Sequence, residues 1–492
     1  MTEVLLIVPP GPVFSSVLEP FAYRTSNLIS ENGFTCKVLD SKLFQILRID
    51  SEFNPFYNPD KIKNNLVSSR NTFENSNREH IFYLALALQD IADIDLKTGL
   101  NKTSIKHFNE YKRTLKDEMN YVFSSICRLK PKIIGFIYVK RVLFEMSKNS
   151  DHIDFEETFC LHMINIIKKF YNPCIFLYQG TYHPGYENYL LSLEKPPDFL
   201  IINNHSETSL KIAENFIIDN MNKPVKNAFI IDKKNSGIYT KGILFKDTAV
   251  PLSAKFPEEI IRIFKTYFQD NYIQIDGSIG CPYNCLFCNS STKFLPYKTR
   301  PIKKLVRECI EYQNIGINNI YFNDRTLNSA SGRFELLCDE LIKNGFNGKC
   351  TGYVEISDKL TRRVLKKAQK AGFSDLSFGV ESGSDKVLKL MNKNYTAKTA
   401  SKVLQYSFDA GIINHVAIMT DFPGETERDF KNTLKFIEKN SRFINNIIPS
   451  VFKPYEFLPI TAKIKDINKF NTLKIIRNRF KRLLLFMEYL YK

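Results

Sequence analysis

A chain of 492 residues is too long for one hydrophobic core, so two or three domains are expected. Hydrophobic residues at 43% and charged residues at 25% are ordinary for a globular protein. No stretch approaches the ~18 apolar residues of a membrane span, and the net charge of +17 comes with lysines spread along the chain, which reads as solvated faces rather than a nucleic-acid surface.

The start, "MTEVLLIVPPGP", has an acid at Glu3 and five apolar residues before a proline pair. That pattern reads as a first strand, not a signal peptide. The expected compartment is the cytoplasm, where thiols stay reduced, so the ten cysteines are expected to be metal ligands or buried thiols rather than disulfides.

After the first strand, "VLEPFAYRTSNLISENG" reads as a helix ending at Gly33 and "TCKVLD" as a second strand. Residues from about 43 to 130 break this rhythm and read as a helical insertion. Strands resume at 131–139, 173–180 and 197–204, with helices at 155–170, 186–193 and 206–218 between and after them. This alternation predicts a doubly wound, Rossmann-like α/β domain over 1–245, with its ligand crevice at the carboxyl ends of the strands. "NAFIIDKKNSGIYTKGILF" follows as a hairpin-like linker.

A second alternation covers 265–450. Strands are expected at "YIQIDGS", "NNIYFND", "GKCTGYVE", "SDLSFGVESG" and "INHVAIMTDFPG", and a sixth near 446–454. Helices are expected at 301–314, 332–343, 359–371, 385–392, 396–409 and 427–439. Six βα units in succession predict a partial (β/α)6 barrel, with its chemistry on the loops after the strands. The remainder, 451–492, is a basic helical extension. Leu473, Ile476, Phe480, Leu483 and Met487 recur at helical spacing there, which suggests docking on the body of the protein.

Cys281, Cys285 and Cys288 form CxxxCxxC in "SIGCPYNCLFCNSS", on the loop after the first barrel strand. A structural zinc site usually takes four protein ligands, and no second pair lies near: Cys309, Cys338 and Cys350 fall in predicted helices or strands. An iron–sulfur cube has four irons, and three thiolates leave one open to a small molecule.

With these residues in view, the segment from 270 to about 440 resembles the radical SAM superfamily. Phe287 stands just before the last cysteine, as in that family. "FGVESGSDKVLKLMNK" resembles its fourth-strand segment, and "DAGIINHVAIMTDFPGETERDF" the fifth-strand segment ending in Pro-Gly-Glu-Thr. The resemblance implies a 4Fe–4S cluster on Cys281, Cys285 and Cys288, with S-adenosylmethionine (SAM) on the fourth iron. It implies SAM contacts from Phe287, Gly379, Glu381, Ser382 and Ser384. Asp421 stands where the family usually has glycine, and "FNDRT" at 322–326 stands where nearby relatives carry paired acids.

The N-terminal region resembles the cobalamin-binding domain that precedes the barrel in one large class of this superfamily. "LLIVPPGP", "IIGFIYV", "QGTYHP" and "PDFLIINNHSETSL" come in the matching order, although the last has lost its glycines. This implies bound cobalamin, with contacts from Gly180, Thr181 and Ser206. The chain has no Asp-x-His-x-x-Gly, so no histidine ligand to cobalt is expected, and His183 reads equally as a loop-packing residue.

The implied chemistry is reductive cleavage of SAM to a 5′-deoxyadenosyl radical, which takes hydrogen from an unactivated carbon, followed by cobalamin-dependent C-methylation. Cyclisation or another oxidative rearrangement is the alternative within the class. A tRNA methylthiotransferase would need a second cluster on Cys36, Cys127, Cys160 and Cys174, which fall inside predicted elements. A non-enzymatic iron–sulfur scaffold would not need the SAM segments. Expected partners are a small-molecule or peptide substrate and an electron donor such as flavodoxin or ferredoxin.

Overall fold

The structure, a computed structural model, describes residues 2–9, 20–40, 122–138, 155–170, 172–179, 186–202, 206–219, 228–233, 237–239, 255–267, 272–288, 297–330 and 332–452, with isolated positions at 225, 235, 460, 479, 482–483 and 485–487. The expected insertion lies outside these residues apart from a helical run at 122–129, as do Gly180, Thr181 and His183. The chain divides into two compact units. One comprises Met1–Leu244 with Ala254–Gln269, the other Phe245–Ser253 with Asp270–Lys492.

The first unit is built on a seven-stranded sheet. Its strands are β1 (Val4–Val8), β2 (Cys36–Asp40), β3 (Ile133–Tyr138), β4 (Cys174–Gln179), β5 (Phe199–Ile202), β6 (Ala228–Asp232) and β7 (Gly237–Tyr239). The spatial order is β2-β1-β3-β4-β5-β6-β7. The first five strands are parallel, and β6 and β7 pair antiparallel at the edge. The segment expected as a hairpin-like linker therefore extends the sheet. Helices α1 (Pro20–Glu31), α2 (Phe155–Phe170), α3 (Tyr186–Ser192) and α4 (Ser206–Asp219) alternate with the strands, and α5 (Glu258–Tyr267) follows.

Helix α1 stops where Gly33 takes a φ of 90°, a left-handed turn open to glycine. All five residues of β1 are buried, as a strand covered on both faces requires. The order 2-1-3-4-5 reverses between β1 and β3, and that switch point is where such sheets open a crevice at their carboxyl ends.

The second unit carries six parallel strands: β8 (Ile273–Ile275), β11 (Asn319–Phe322), β12 (Lys349–Val354), β13 (Asp375–Glu381), β14 (Ile413–Thr420) and β15 (Asn446–Val451). They lie in sequential order and form an open, partial barrel. Two short strands, β9 (Ser278–Ile279) and β10 (Lys298–Thr299), make a separate antiparallel ribbon. The helices are α6 (Ile302–Asn314), α7 (Arg333–Lys343), α8 (Arg362–Lys370), α9 (Asp385–Leu390), α10 (Ala397–Asp409) and α11 (Glu427–Asn440).

In β13 and β14 buried residues alternate with half-buried ones. Leu376, Phe378, Val380, Val416 and Ile418 point outward under the helices. Their neighbours on the other face, such as Ser377, Gly379, His415 and Ala417, line the barrel interior. Thr361, Thr396 and Thr426 accept from the first turns of α8, α10 and α11, so side-chain caps start three of the helices.

Candidate functional site

The cysteine loop grows from the end of β8 and is anchored by a buried polar network. The Asp324 carboxylate, from the loop after β11, accepts from Gly277 N at 2.9 Å and from the Ser278 hydroxyl. Arg333 donates to the carbonyls of Gly277 and Arg300, each at 2.9 Å. Arg300 in turn pairs with Glu308 at 2.6 Å, both nearly sealed from solvent. A Cβ on Gly277 would sit 2.8 Å from Asp324 Oδ2, so only glycine lets the strand end come this close to the acid. Burial pushes the Asp324 carboxyl up to about 6, against its hydrogen bonds and the Arg333 charge.

Above this base the β9–β10 ribbon closes the loop, and Gly280 turns it with a φ of 71°. Cys288 N donates to Cys285 O at 3.2 Å, so the last two cysteines share one turn. Leu286 N is held by Met391 O at 3.1 Å, and Asn284 O by the Asn392 amide at 2.8 Å. Cys281 and Cys288 are half-buried and Cys285 is buried. Burial pushes the Cys281 thiol up to about 11 and that of Cys285 up to about 12; at Cys285 the Lys393 ammonium works in the other direction.

Among the described residues no three His, Cys, Asp or Glu side chains close together as they would around one metal ion. All three cysteines stand as free thiols on this single loop.

The loop after β13 supplies the charged wall. A register shift between Gly379 and Glu381 ends the strand, and Glu381 takes a φ of 61°. Its carboxylate lies 3.5 Å from Lys393 Nζ, which also contacts Glu355 at 3.2 Å. Lys393 is 3% exposed, yet one ammonium serves two acids. Burial pushes both carboxyls up. For Lys393 burial works against the charge, but Tyr395, Glu381 and Glu355 hold the ammonium well above its usual range.

The Tyr395 hydroxyl donates to Gly379 O at 2.6 Å and Val380 O at 3.1 Å, and so pins the bulge that presents Glu381. The Phe287 ring lies 5.5 Å from Lys393 Nζ, a cation–π contact joining the cysteine loop to this wall. Phe287, Gly379 and Glu381 thus converge on Lys393.

Ser382 and Ser384 face another way. The Ser382 hydroxyl pairs with that of Thr433 at 3.0 Å, and Ser384 donates to Asp429 at 2.8 Å, so both pack the loop onto α11. Gly383 between them is forced, because a Cβ there would meet Phe436 Cβ at 2.4 Å.

Glu355, Lys393 and Tyr395 were not singled out in the sequence. A lone lysine in a lysine-rich chain carries no signal, although "NKNY" directly after a helix that follows a strand is a place to look. In the first unit, the Ser206 hydroxyl pairs with Thr25 at 2.9 Å in a buried contact between α4 and α1.

The cysteines a second cluster would need are scattered. Cys36 lies on β2 and Cys174 on β4, with β1 and β3 between them, three strand spacings or ~14 Å apart. Cys160 is buried in α2, and Cys127 is exposed in the run at 122–129.

Residues 275–437 match the model of the Radical SAM superfamily. This chain carries a Radical SAM domain in its second unit, preceded by a mainly parallel α/β unit. An uncharacterized methyltransferase of Pyrococcus horikoshii is 25% identical over 230 residues, 43% of this chain and 50% of that protein. The anaerobic magnesium-protoporphyrin IX monomethyl ester cyclase of Rubrivivax gelatinosus is 26% identical over 191 residues, 38% of this chain and 34% of that protein. A tRNA-2-methylthio-N(6)-dimethylallyladenosine synthase of Corynebacterium jeikeium is 28% identical, covering 44% of each chain. The chain therefore spans half or less of the length of these curated relatives.

In fold, the radical SAM methyltransferase TsrM of Kitasatospora setae, solved with cobalamin and a [4Fe-4S] cluster, superposes on 95% of this chain and 78% of its own. Its TM-score is 0.64 and its identity 11%. The cobalamin-dependent radical enzyme OxsB, solved with aqua-cobalamin, covers 97% of this chain and 56% of its own, with a TM-score of 0.60 and 13% identity. The cofactors that define the superfamily are the 4Fe–4S cluster and SAM. Among the described residues no helix is long and apolar enough to cross a membrane.

Proposed function

We propose that this protein is a cobalamin-dependent radical SAM enzyme that methylates an unactivated carbon of a small-molecule or peptide substrate. The observation that carries the reading is the convergence of a three-cysteine loop with a buried acid–lysine–acid wall, joined through Phe287. Cys281, Cys285 and Cys288 would hold the cluster. When bound, the cluster supplies an electron to the sulfonium of SAM, and cobalamin supplies the methyl group.

The residues of this chain bind and orient. The Lys393 ammonium suits the carboxylate of SAM, and Glu381 and Glu355 suit its amino group or ribose hydroxyls. Phe287 covers the ammonium and excludes water from it. Ser382 and Ser384 would act by fixing the loop that carries Glu381. The switch point of the first unit's parallel sheet suits a corrin, and the likeness in fold to TsrM and OxsB supports that cofactor.

Anaerobic reconstitution with iron, sulfide and cobalamin tests the reading. About four irons per chain, a corrin spectrum that co-elutes, and methylated product are expected. A full cluster without corrin, even with excess cobalamin, would overturn the methyl-transfer step. The E381Q variant should weaken SAM binding at unchanged iron content. A second outcome, cyclisation or rearrangement without methyl transfer, is supported by the likeness to the Rubrivivax cyclase. Mass analysis of the product separates the two. The methylthiotransferase reading finds no support in the placement of Cys36, Cys127, Cys160 and Cys174.

A further inference from the structure

Asp421 ends β14 in a conformation that asks for an explanation. Its φ is 61°, in the left-handed region where a residue with a Cβ is strained. Three contacts hold it there. Its backbone N–H donates to Glu425 Oε2 at 2.6 Å, its Oδ2 accepts from the Thr420 hydroxyl at 3.3 Å, and its Oδ1 accepts from Arg479 at 3.2 Å. Arg479 also lies 3.5 Å from Glu425 Oε2 and donates to the Glu425 carbonyl at 3.4 Å.

These are not surface pairs. The side chains are 6% exposed at Asp421, 0% at Glu425 and 18% at Arg479. Burial pushes the Glu425 carboxyl up to about 7, against the Asp421 hydrogen bond and the Arg479 charge. Without Arg479, two buried carboxylates would face each other across a strained turn. A second arginine repeats the grip nearby: Arg482 pairs with Glu427 at 2.8 Å and lies over the Phe430 ring at 4.9 Å.

The turn has a consequence at the cysteine loop. The residue after Asp421 is Phe422, 2% exposed, which meets Phe287 edge-on at 6.4 Å and Phe452 at 5.2 Å. Phe287 lies next to Cys288, and Leu286 O is bonded by Ile460 N at 3.1 Å. A chain of contacts thus runs from Arg479 through Asp421 and Phe422 to the loop that carries the thiols.

We propose that Arg479 is a positioning residue for the cysteine loop: by neutralising Asp421 and Glu425 it fixes the turn that presses Phe422 against Phe287. Arg479 and Arg482 of the basic C-terminal segment are then part of the site's architecture, and their charge answers Asp421, Glu425 and Glu427 just after β14. The link to catalysis rests on the reading of that loop as the cluster loop.

The test uses the full chain in four variants, R479M, R479K, D421G and D421G/R479M. Hydrogen exchange needs no cofactor and reads the contact chain directly. R479M should speed exchange about tenfold at both 421–425 and 286–288. R479K should recover part of that protection. D421G/R479M should be better protected than R479M, because glycine takes the turn without strain and one buried carboxylate is gone. Iron retained on gel filtration, and the change in the cluster's electron spin resonance on adding SAM, should follow the same order, with R479M losing at least half its iron. Exchange that rises only around residues 479–487, or additive effects of D421G and R479M, would overturn the proposal. If the wild type holds no iron, the cluster reading falls, while the exchange pattern still decides this one.

Discussion

The two sheets of this protein are both mainly parallel, yet they treat their faces differently. In the first unit β1 is buried along its whole length, and residues of β3, β4 and β5 facing either side, such as Ile133 and Ile134 or Phe176 and Leu177, are equally sealed. A sheet covered on both faces has no room for a ligand except at its strand ends. In the second unit β13 and β14 seal one face and leave the other half-open toward the barrel interior. At the carboxyl ends of β12 and β13 stand the buried acids Glu355 and Glu381, and both meet Lys393. The lesson is that binding capacity follows from closure. A flat sheet must borrow its site from loops, whereas a curved one builds part of it from strand ends.

The sharpest way to break the comparison is to remove the proposed cluster ligands. Alanine at Cys281, Cys285 or Cys288 should abolish cluster binding and SAM cleavage while far-ultraviolet circular dichroism is unchanged, because the barrel core lies elsewhere. Iron content that stayed normal in the triple variant would refute the site.

Next in size is K393M. It leaves two buried carboxylates without a cation, which should cost about 3–5 kcal/mol of barrel stability. A clear fall in thermal midpoint and loss of SAM binding by calorimetry are expected. E355Q in the same chain should return part of the stability.

The base of the cysteine loop gives a pH-dependent effect. The folded Asp324 carboxyl titrates near 6, above its value in the unfolded chain. The folded state therefore binds the proton more tightly, and stability falls as pH rises from about 4 to 6, by at most about 3 kcal/mol. D324N should flatten that decline. A decline of the same slope in D324N would show that another group titrates.

A smaller effect is expected at Tyr395. The Y395F variant strands the Gly379 and Val380 carbonyls and loosens the bulge that presents Glu381. About 1–2 kcal/mol of stability and a several-fold loss in SAM affinity should follow. Smallest of all, S206A breaks the Thr25 contact in the first unit and should cost about 1 kcal/mol. Corrin uptake should stay unchanged, since that hydroxyl is already taken. A drop in corrin content without a drop in stability would return Ser206 to the ligand.

Much of the fold was legible in the sequence. The six barrel strands and their helices stand within a few residues of where the pattern of apolar runs and Gly or Asn stops put them. The CxxxCxxC spacing marked the cysteine loop, because three thiols within eight residues have few other uses. The segment at 228–239 reads as a hairpin-like linker, and a hairpin does form there; its place in the sheet is not legible, since a short hairpin carries no sign of which sheet edge it will join.

What the tertiary structure alone decided is the company each residue keeps. Glu355, Glu381 and Lys393 come from separate segments, and nothing local in a lysine-rich chain says that Lys393 is the buried one. Ser382 and Ser384 look like ligand contacts in "VESGS" but face α11, because Gly383 brings the loop against Phe436. Asp421 looks like a departure from pattern until Arg479, 58 residues away, answers it. Local pattern fixes which element a residue joins, since propensity and periodicity act over a few residues. Charge pairing and burial act across the fold, and only the folded chain sets them.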